Sequence, residues 1–238
     1  MADRDRLLLA VLIDADNVPA AHAEAIMKEI AALGEPALRR VFGDWTNPAL
    51  KKWADKIPEL GLVAHQESAN TKGKNASDIG LVIDAMDILH SKRFGGFVLV
   101  SSDSDFTRLA NRIREEGLRV YGIGEGKTPK ALRNACNRFI LIENIIGDDD
   151  DEPEAKTQKK QAAAPIAQAA RLVRGVFDNM EDVDDWVTLS ALGKAINAAE
   201  PDFDTRTYGC KKLSDLMKQL KIVEVRKDQQ QILVRLLD

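Results

Sequence analysis

The chain is poor in residues that mark several protein classes. It has two cysteines, Cys136 and Cys210, three histidines and only 5% aromatic residues in 238 positions. Two cysteines in no ligand-like spacing exclude a disulfide framework and a structural zinc site, and reduced thiols are expected. The longest apolar run, Leu7 to Ile13, is far short of the ~20 residues that span a bilayer. Asp3, Arg4, Asp5 and Arg6 precede that run and no small-residue cleavage site follows it. It reads as neither signal peptide nor anchor, so the expected compartment is the cytoplasm. Basic excess is also missing: 34 Lys+Arg against 38 Asp+Glu leave a net charge of −4. That excludes a simple DNA-coating protein but not a nucleic acid substrate, because local charge matters more than the total.

Hydrophobic residues make up 45% and charged residues 30%, ordinary soluble globular chemistry, and 238 residues suffice for one large domain, or one medium domain and a small companion. Residues 1–147 carry 20 basic and 20 acidic side chains; residues 148–165 carry 3 and 6; residues 166–238 carry 11 and 12. The middle segment runs Asp148-Asp149-Asp150-Asp151-Glu152-Pro153 into a Lys/Gln/Ala tract ending at Pro165. Too few large apolar residues occur there to offset chain entropy, so it is expected to be an acidic flexible linker between two domains.

In the first domain, strand patterns at Leu7–Ile13, Ala37–Phe42, Gly61–His65, Phe97–Ser101, Leu118–Gly122 and Phe139–Glu143 alternate with helical patterns. The helices are expected over Pro19–Leu33, Asn47–Ile57, Ser77–His90, Asp105–Glu116 and Pro129–Ala135. This alternation predicts an α/β fold with a mostly parallel sheet covered by helices, whose ligands gather at the carboxyl ends of the strands.

Acids are concentrated at those ends. Asp14-Ala15-Asp16-Asn17 follows the first strand, Ser102-Asp103-Ser104-Asp105 follows the fourth, and Asp78 opens the third helix with Asp84 further along it. Two carboxylates ~5 Å apart repel by roughly 3 kcal/mol at an effective dielectric of 20. A cluster must then take up protons or a cation, and hard oxygen donors without His or Cys select Mg²⁺ or Mn²⁺. Such a centre clamps a phosphodiester and acidifies a bound water. Each aspartate alone also fits helix capping: Asp103 or Asp105 for the helix that follows, Asp78 for its own helix. Convergence of three segments favours the cation. At 100° per residue Asp84 lies 240° around its helix from Asp78, so both cannot point straight at one ion.

The set Ile13-Asp14-Ala15-Asp16-Asn17, Lys74-Asn75-Ala76-Ser77-Asp78 with Asp84-Ala85-Met86-Asp87, and Ser101-Ser102-Asp103-Ser104-Asp105-Phe106 resembles the NYN domain of the PIN-like nuclease superfamily. Gly122-Ile123-Gly124, Thr128-Pro129 and Leu132-Arg133-Asn134-Ala135-Cys136-Asn137-Arg138-Phe139-Ile140 resemble the end of members of the LabA/DUF88 type. The resemblance covers about residues 6–145. It implies a PIN-like fold and a metal-dependent ribonuclease with catalytic, metal-holding acids at Asp14, Asp78, Asp103 and Asp105. Asp16, Asn17, Asp84 and Ser102 are then expected to orient the ligands. Hydrolysis by an activated water would leave a 5′-phosphate and a 3′-hydroxyl. The family often has Gly at the position of Ser102 and Asp at that of Asn137; neither departure removes an acid assigned to the metal.

Cations around this edge are candidates for drawing in a polyanion: Lys72 and Lys74 in a loop before Asp78, Arg108 and Arg112 after the Asp103 loop, and Lys127, Lys130, Arg133 and Arg138. The plain alternative for each is a solvated surface. Gly122-x-Gly124-x-Gly126 lacks the dinucleotide pattern and is expected to be a turn. Trp45 and Trp53 are expected to pack more readily than to stack on bases, and His22, His65 and His90 share no useful spacing.

In the second domain, Ala169, Leu172, Val173, Val176, Phe177 and Met180 mark a helical face. Helices are expected over Ser190–Ala199 and Tyr208–Leu220, then a hairpin of Ile222–Arg226 and Ile232–Leu236, a winged helix-turn-helix pattern. Val187-Thr188-Leu189-Ser190-Ala191-Leu192-Gly193, Pro201-Asp202-Phe203-Asp204 and Tyr208-Gly209-Cys210-Lys211-Lys212-Leu213-Ser214-Asp215-Leu216 resemble the OST-HTH, or LOTUS, domain. That implies RNA binding, or docking of a protein partner. Lys211 and Lys212 lead the candidate RNA contacts, with Arg206, Lys218 and Lys227. Two rivals remain: an RNA-binding regulator without catalysis, and a haloacid-dehalogenase-like phosphatase in which Asp14 forms a phosphoaspartate.

Overall fold

The computed structural model describes residues 6–66, 76–146, 166–180, 186–228 and 231–237. It divides into two compact units, Met1–Asp149 and Asp150–Asp238. The expected linker at 148–165, Lys72 and Lys74 lie outside the described residues.

The first unit has strands β1 (Leu8–Asp14), β2 (Glu35–Gly43), β3 (Val63–Gln66), β4 (Gly96–Val100), β5 (Arg119–Gly124) and β6 (Arg138–Leu141). They form one parallel sheet in the order β3-β2-β1-β4-β5-β6. The chain winds outward in one direction from β1 and in the other from β4. A crevice therefore opens between the carboxyl ends of these two strands, the usual ligand position in doubly wound sheets. Helices α1 (Ala23–Leu33), α2 (Lys51–Glu59), α3 (Ala76–His90), α4 (Thr107–Glu115) and α5 (Lys130–Ala135) connect the strands, and α6 (Ile142–Ile145) follows β6.

Both faces of the sheet are covered, which is why β1 is apolar almost throughout. Leu9, Val11 and Ile13 join Ile26, Ile30 and Trp53 on one face. Ala10 and Leu12 join Leu81, Ala85, Leu109 and Ile113, of α3 and α4, on the other. Each fully buried Leu or Ile of these layers contributes about 1.5–3 kcal/mol of transfer free energy. Alternation assigns Asp14 the parity of Ala10 and Leu12, the α3 side. After β4, Ser101 and Asp103 likewise continue the parity of Phe97 and Leu99, which belong to the same core layer.

Several expected boundaries move for local reasons. Gly122 lies in β5, as the strand expected over Leu118–Gly122 has it, and Gly124 is also a strand residue rather than part of a turn; only Gly126 falls in the turn after it. A Cβ on Gly122 would collide with the Phe139 ring, and one on Gly124 would lie 2.7 Å from the Ser101 carbonyl oxygen. The glycines thus allow β5 to close against β6 and the end of β4. The last strand stops at Leu141, and Ile142–Ile145 turns into α6.

The second unit contains α7 (Ile166–Asp178), β7 (Val187–Thr188), α8 (Leu189–Ala199), α9 (Leu213–Gln219), β8 (Val223–Asp228) and β9 (Gln231–Leu236). Its antiparallel sheet has the order β7-β9-β8. Ala169, Val173, Leu192, Ile196, Leu216, Met217 and Val234 form its core. The helix expected over Tyr208–Leu220 is instead a 3-10 turn at Thr205–Tyr208, a left-handed Gly209 at φ 73°, and α9. Glycine alone adopts that conformation without a Cβ penalty, so it ends one element and redirects the next.

Candidate functional site

Asp14 ends β1 with only 1% of its surface exposed. Its Oδ2 accepts hydrogen bonds from the Ser101 hydroxyl at 2.8 Å and from the Asn17 side-chain amide at 2.7 Å. Its Oδ1 is buried with no partner among the described residues. Burial pushes the Asp14 carboxyl upward, opposed by the Asn17 and Ser101 hydrogen bonds and reinforced by the Asp16 charge. Ser101 is fixed in turn by accepting the Asp103 backbone N–H at 3.0 Å.

Asp14 is not in the convergent group: one carboxylate oxygen from each of Asp78, Asp103 and Asp105 lies within 4.8 Å of the other two. Asp78 comes from the first turn of α3, and the others from the loop and 3-10 turn after β4. Asp103 does cap that turn, accepting the Asp105 N–H at 2.9 Å. Capping and clustering coexist because a carboxylate has two oxygens and several lone pairs. The Asp78 carboxyl is pushed up to about 6, first by burial and then by the charges of Asp14, Asp103, Asp105 and Asp16. Four separate carboxylates thus act on Asp78, so the acids from β1, α3 and the β4 loop share one electrostatic site.

This donor set fits a hard divalent cation. It offers three convergent carboxylate oxygens, a fourth carboxylate with an oxygen buried without a partner among the described residues, and a carboxyl raised by burial and by neighbouring acids. Among the described residues, no other group of three His, Cys, Asp or Glu side chains meets in this way.

The remaining expected site residues divide. Asp16 and Asn17 are exposed beside Asp14, Asn17 as its hydrogen-bond donor and Asp16 through its charge. Ser102 points its hydroxyl to the β5 side, accepting the Glu125 N–H at 2.9 Å. Asp84 pairs with Arg40 of β2, and no hydrogen bond joins it to the acidic cluster. Arg108 and Lys130 are exposed, whereas Lys127 pairs with Glu125 at 2.8 Å. Arg133 donates to the Thr128 and Gly126 carbonyls, which clamps the loop after β5. Lys211 and Lys212 are exposed at the start of α9, while Arg206 is held by buried Asp204 at 2.7 Å. Trp53 is buried and donates its indole N–H to Val18; Trp45 is half-buried and donates to His65. Ser101 escaped sequence reasoning. The signal for it is register: β1 and β4 pair Ile13 with Val100, so the next residues, Asp14 and Ser101, are neighbours.

A parallel doubly wound sheet with acids gathered at its switch point defines a PIN-like α/β protein. The NYN domain family matches residues 8–143, and the OST-HTH/LOTUS domain matches residues 159–234. The chain belongs to the NYN domain family, a nuclease-type hydrolase class, and carries an OST-HTH/LOTUS domain, of RNA-binding type, after it. Among solved structures, the crystal structure of a protein of unknown function from Vibrio parahaemolyticus is 20% identical with a TM-score of 0.49, covering 60% of this chain and 96% of that one. None of the curated proteins matches the chain. No helix among the described residues is long and apolar enough to cross a membrane.

Proposed function

We propose that this protein is a divalent-metal-dependent ribonuclease of the LabA/DUF88 type whose second unit binds or selects the RNA. The observation that carries the reading is the convergence of Asp78, Asp103 and Asp105 within 4.8 Å of one another. These three acids and Asp14 would hold Mg²⁺ or Mn²⁺. Bound there, the ion supplies charge neutralisation for a phosphodiester and a more acidic water.

The protein's own groups do the positioning. Ser101 and Asn17 fix the Asp14 carboxylate in one orientation, and the Asp103 N–H holds Ser101 in turn. Hydrogen bonds behind metal-binding groups of this kind set both orientation and basicity. Asp78, with its carboxyl near 6, releases its proton when counter-charge arrives. Arg108 and Lys130, with Lys72 and Lys74, would offset the repulsion an acidic pocket exerts on an approaching polyanion.

The test incubates the purified full chain with end-labelled RNA and DNA of one sequence in Mg²⁺, Mn²⁺ or EDTA, beside Asp103→Asn. RNA cleavage is expected with metal, none in EDTA, and a loss of at least a hundredfold in the variant. Equal RNA loss in the variant and the parent would overturn the proposal.

A further inference from the structure

The second unit carries a cluster that neither the acidic centre nor the exposed lysines of α9 account for. The Arg226 guanidinium lies 4.5 Å from the Trp186 ring centroid, and that of Arg235 lies 4.8 Å from the same centroid. Strand register explains the meeting. Val234 of β9 is buried and pairs with Val187 of β7 and Val225 of β8, which pack on the same core. Their chain neighbours must face the other way. Trp186, Arg226, Arg235 and Glu224 therefore share the outer face of the wing sheet.

The ion pair on this face does not include Arg226. Glu224 binds Arg235 through one terminal nitrogen at 2.5 Å, while the Arg235 Nε is buried with no hydrogen-bond partner among the described residues. Arg226 is exposed and has no carboxylate partner among the described residues. Among the described residues, two guanidinium groups thus sit against one indole with a single carboxylate bonded to either of them; Asp228 shares their face at the far end of β8, where it pairs with Gln231, and Lys227 has the opposite parity. Planar surface is concentrated here, and Arg226 stands outside the Glu224–Arg235 pair. Planar cations on an aromatic ring extend a stack to an unpaired base, and their N–H groups meet phosphate oxygens. A duplex offers the phosphates but hides the faces of its bases.

We infer that the outer face of the wing, formed by Trp186, Arg226 and Arg235, is a binding site for single-stranded RNA, with stacking on the Arg–Trp column and phosphate pairing at Arg226. This rests on the reading of the second unit as RNA-binding, and it moves the specific contact from Lys211 and Lys212 to the sheet.

The experiment measures fluorescence anisotropy of a labelled mixed-sequence 20-nucleotide RNA with the full chain in EDTA, over a range of salt, beside R226E and R226K. Arg226 is exposed, so thermal melting of both variants should match the parent. R226E should weaken binding about tenfold or more and lower the slope of log affinity against log salt by about 1. R226K should keep the slope yet lose affinity, and a duplex of the same sequence should compete poorly. Equal affinity in R226E and parent would overturn the wing site while leaving RNA binding intact. R226K binding as tightly as the parent, or duplex competing as well as single strand, would overturn the stacking. No RNA binding by the parent would defeat the underlying reading as well.

Discussion

The Ser101 hydroxyl donates to Asp14 Oδ2 at 2.8 Å and accepts the Asp103 N–H at 3.0 Å. One small side chain thus ties the acid at the end of β1 to the loop that supplies Asp103 and Asp105. The link forms because β1 and β4 are adjacent and in register at the switch point of the sheet. It also leaves Asp14 with one satisfied oxygen and one orphan, a state that a cation nearby would relieve.

Ser101→Ala should therefore damage the centre without unfolding the protein. It removes a donor from Asp14 and an acceptor from Asp103, at a cost of about 1–3 kcal/mol for groups left unsatisfied. Loss of such an orienting partner typically weakens metal affinity or activity by about 10–100-fold. Titration of Mn²⁺ by calorimetry, with a thermal melt of the same samples, separates the two effects. An unchanged Mn²⁺ affinity would show that Ser101 does not orient the acid.

The raised Asp78 carboxyl makes stability depend on pH in a defined direction. Its folded value of about 6 exceeds the ordinary 3.8. Between these values the folded state holds the proton more tightly than the unfolded chain. The stabilising contribution is complete below about pH 4 and is lost as pH rises through about 6. In EDTA, melting temperature should fall over this interval, and Asp78→Asn should flatten that part of the fall. Added Mn²⁺ requires ionised carboxylates, so the stabilisation it confers should grow with pH over the same range. Identical pH slopes in parent and Asp78→Asn would remove this acid from the coupled site.

Asp84 is expected to serve the scaffold. Its pairing with Arg40 joins α3 to β2, and both side chains are largely shielded, at 18% and 28% exposure. Asp84→Asn should lower stability by about 1 kcal/mol, the scale of a partly exposed ion pair, and leave cleavage within about twofold. A loss of activity as large as that of Asp103→Asn, at unchanged stability, would return Asp84 to the catalytic machinery.

Much of the first unit could be read from residue order alone. Strand and helix patterns placed all six strands and five helices within a few residues, because buried parallel strands are continuous apolar runs and the covering helices repeat every three to four positions. Gly124 misled for a physical reason. Glycine signals a turn by its conformational freedom, but here its missing Cβ admits Phe139 and the Ser101 carbonyl. The broken helix near Gly209 was equally hidden, since Tyr208 and Leu213 look like one amphipathic stretch until the left-handed residue divides them.

Residue order determined that acids would stand after β1, after β4 and at the start of α3, since chemistry and direction along an element are local properties. Tertiary structure decided which of them meet. Packing of α3 on the Ala10–Leu12 face brings Asp78 toward Asp103 and Asp105, while the turn of the same helix carries Asp84 to Arg40. It likewise assigned Arg133 to the loop backbone and brought Trp186 beside Arg226 and Arg235. Strand register and helix packing join residues far apart in the chain, and no spacing within a segment encodes them.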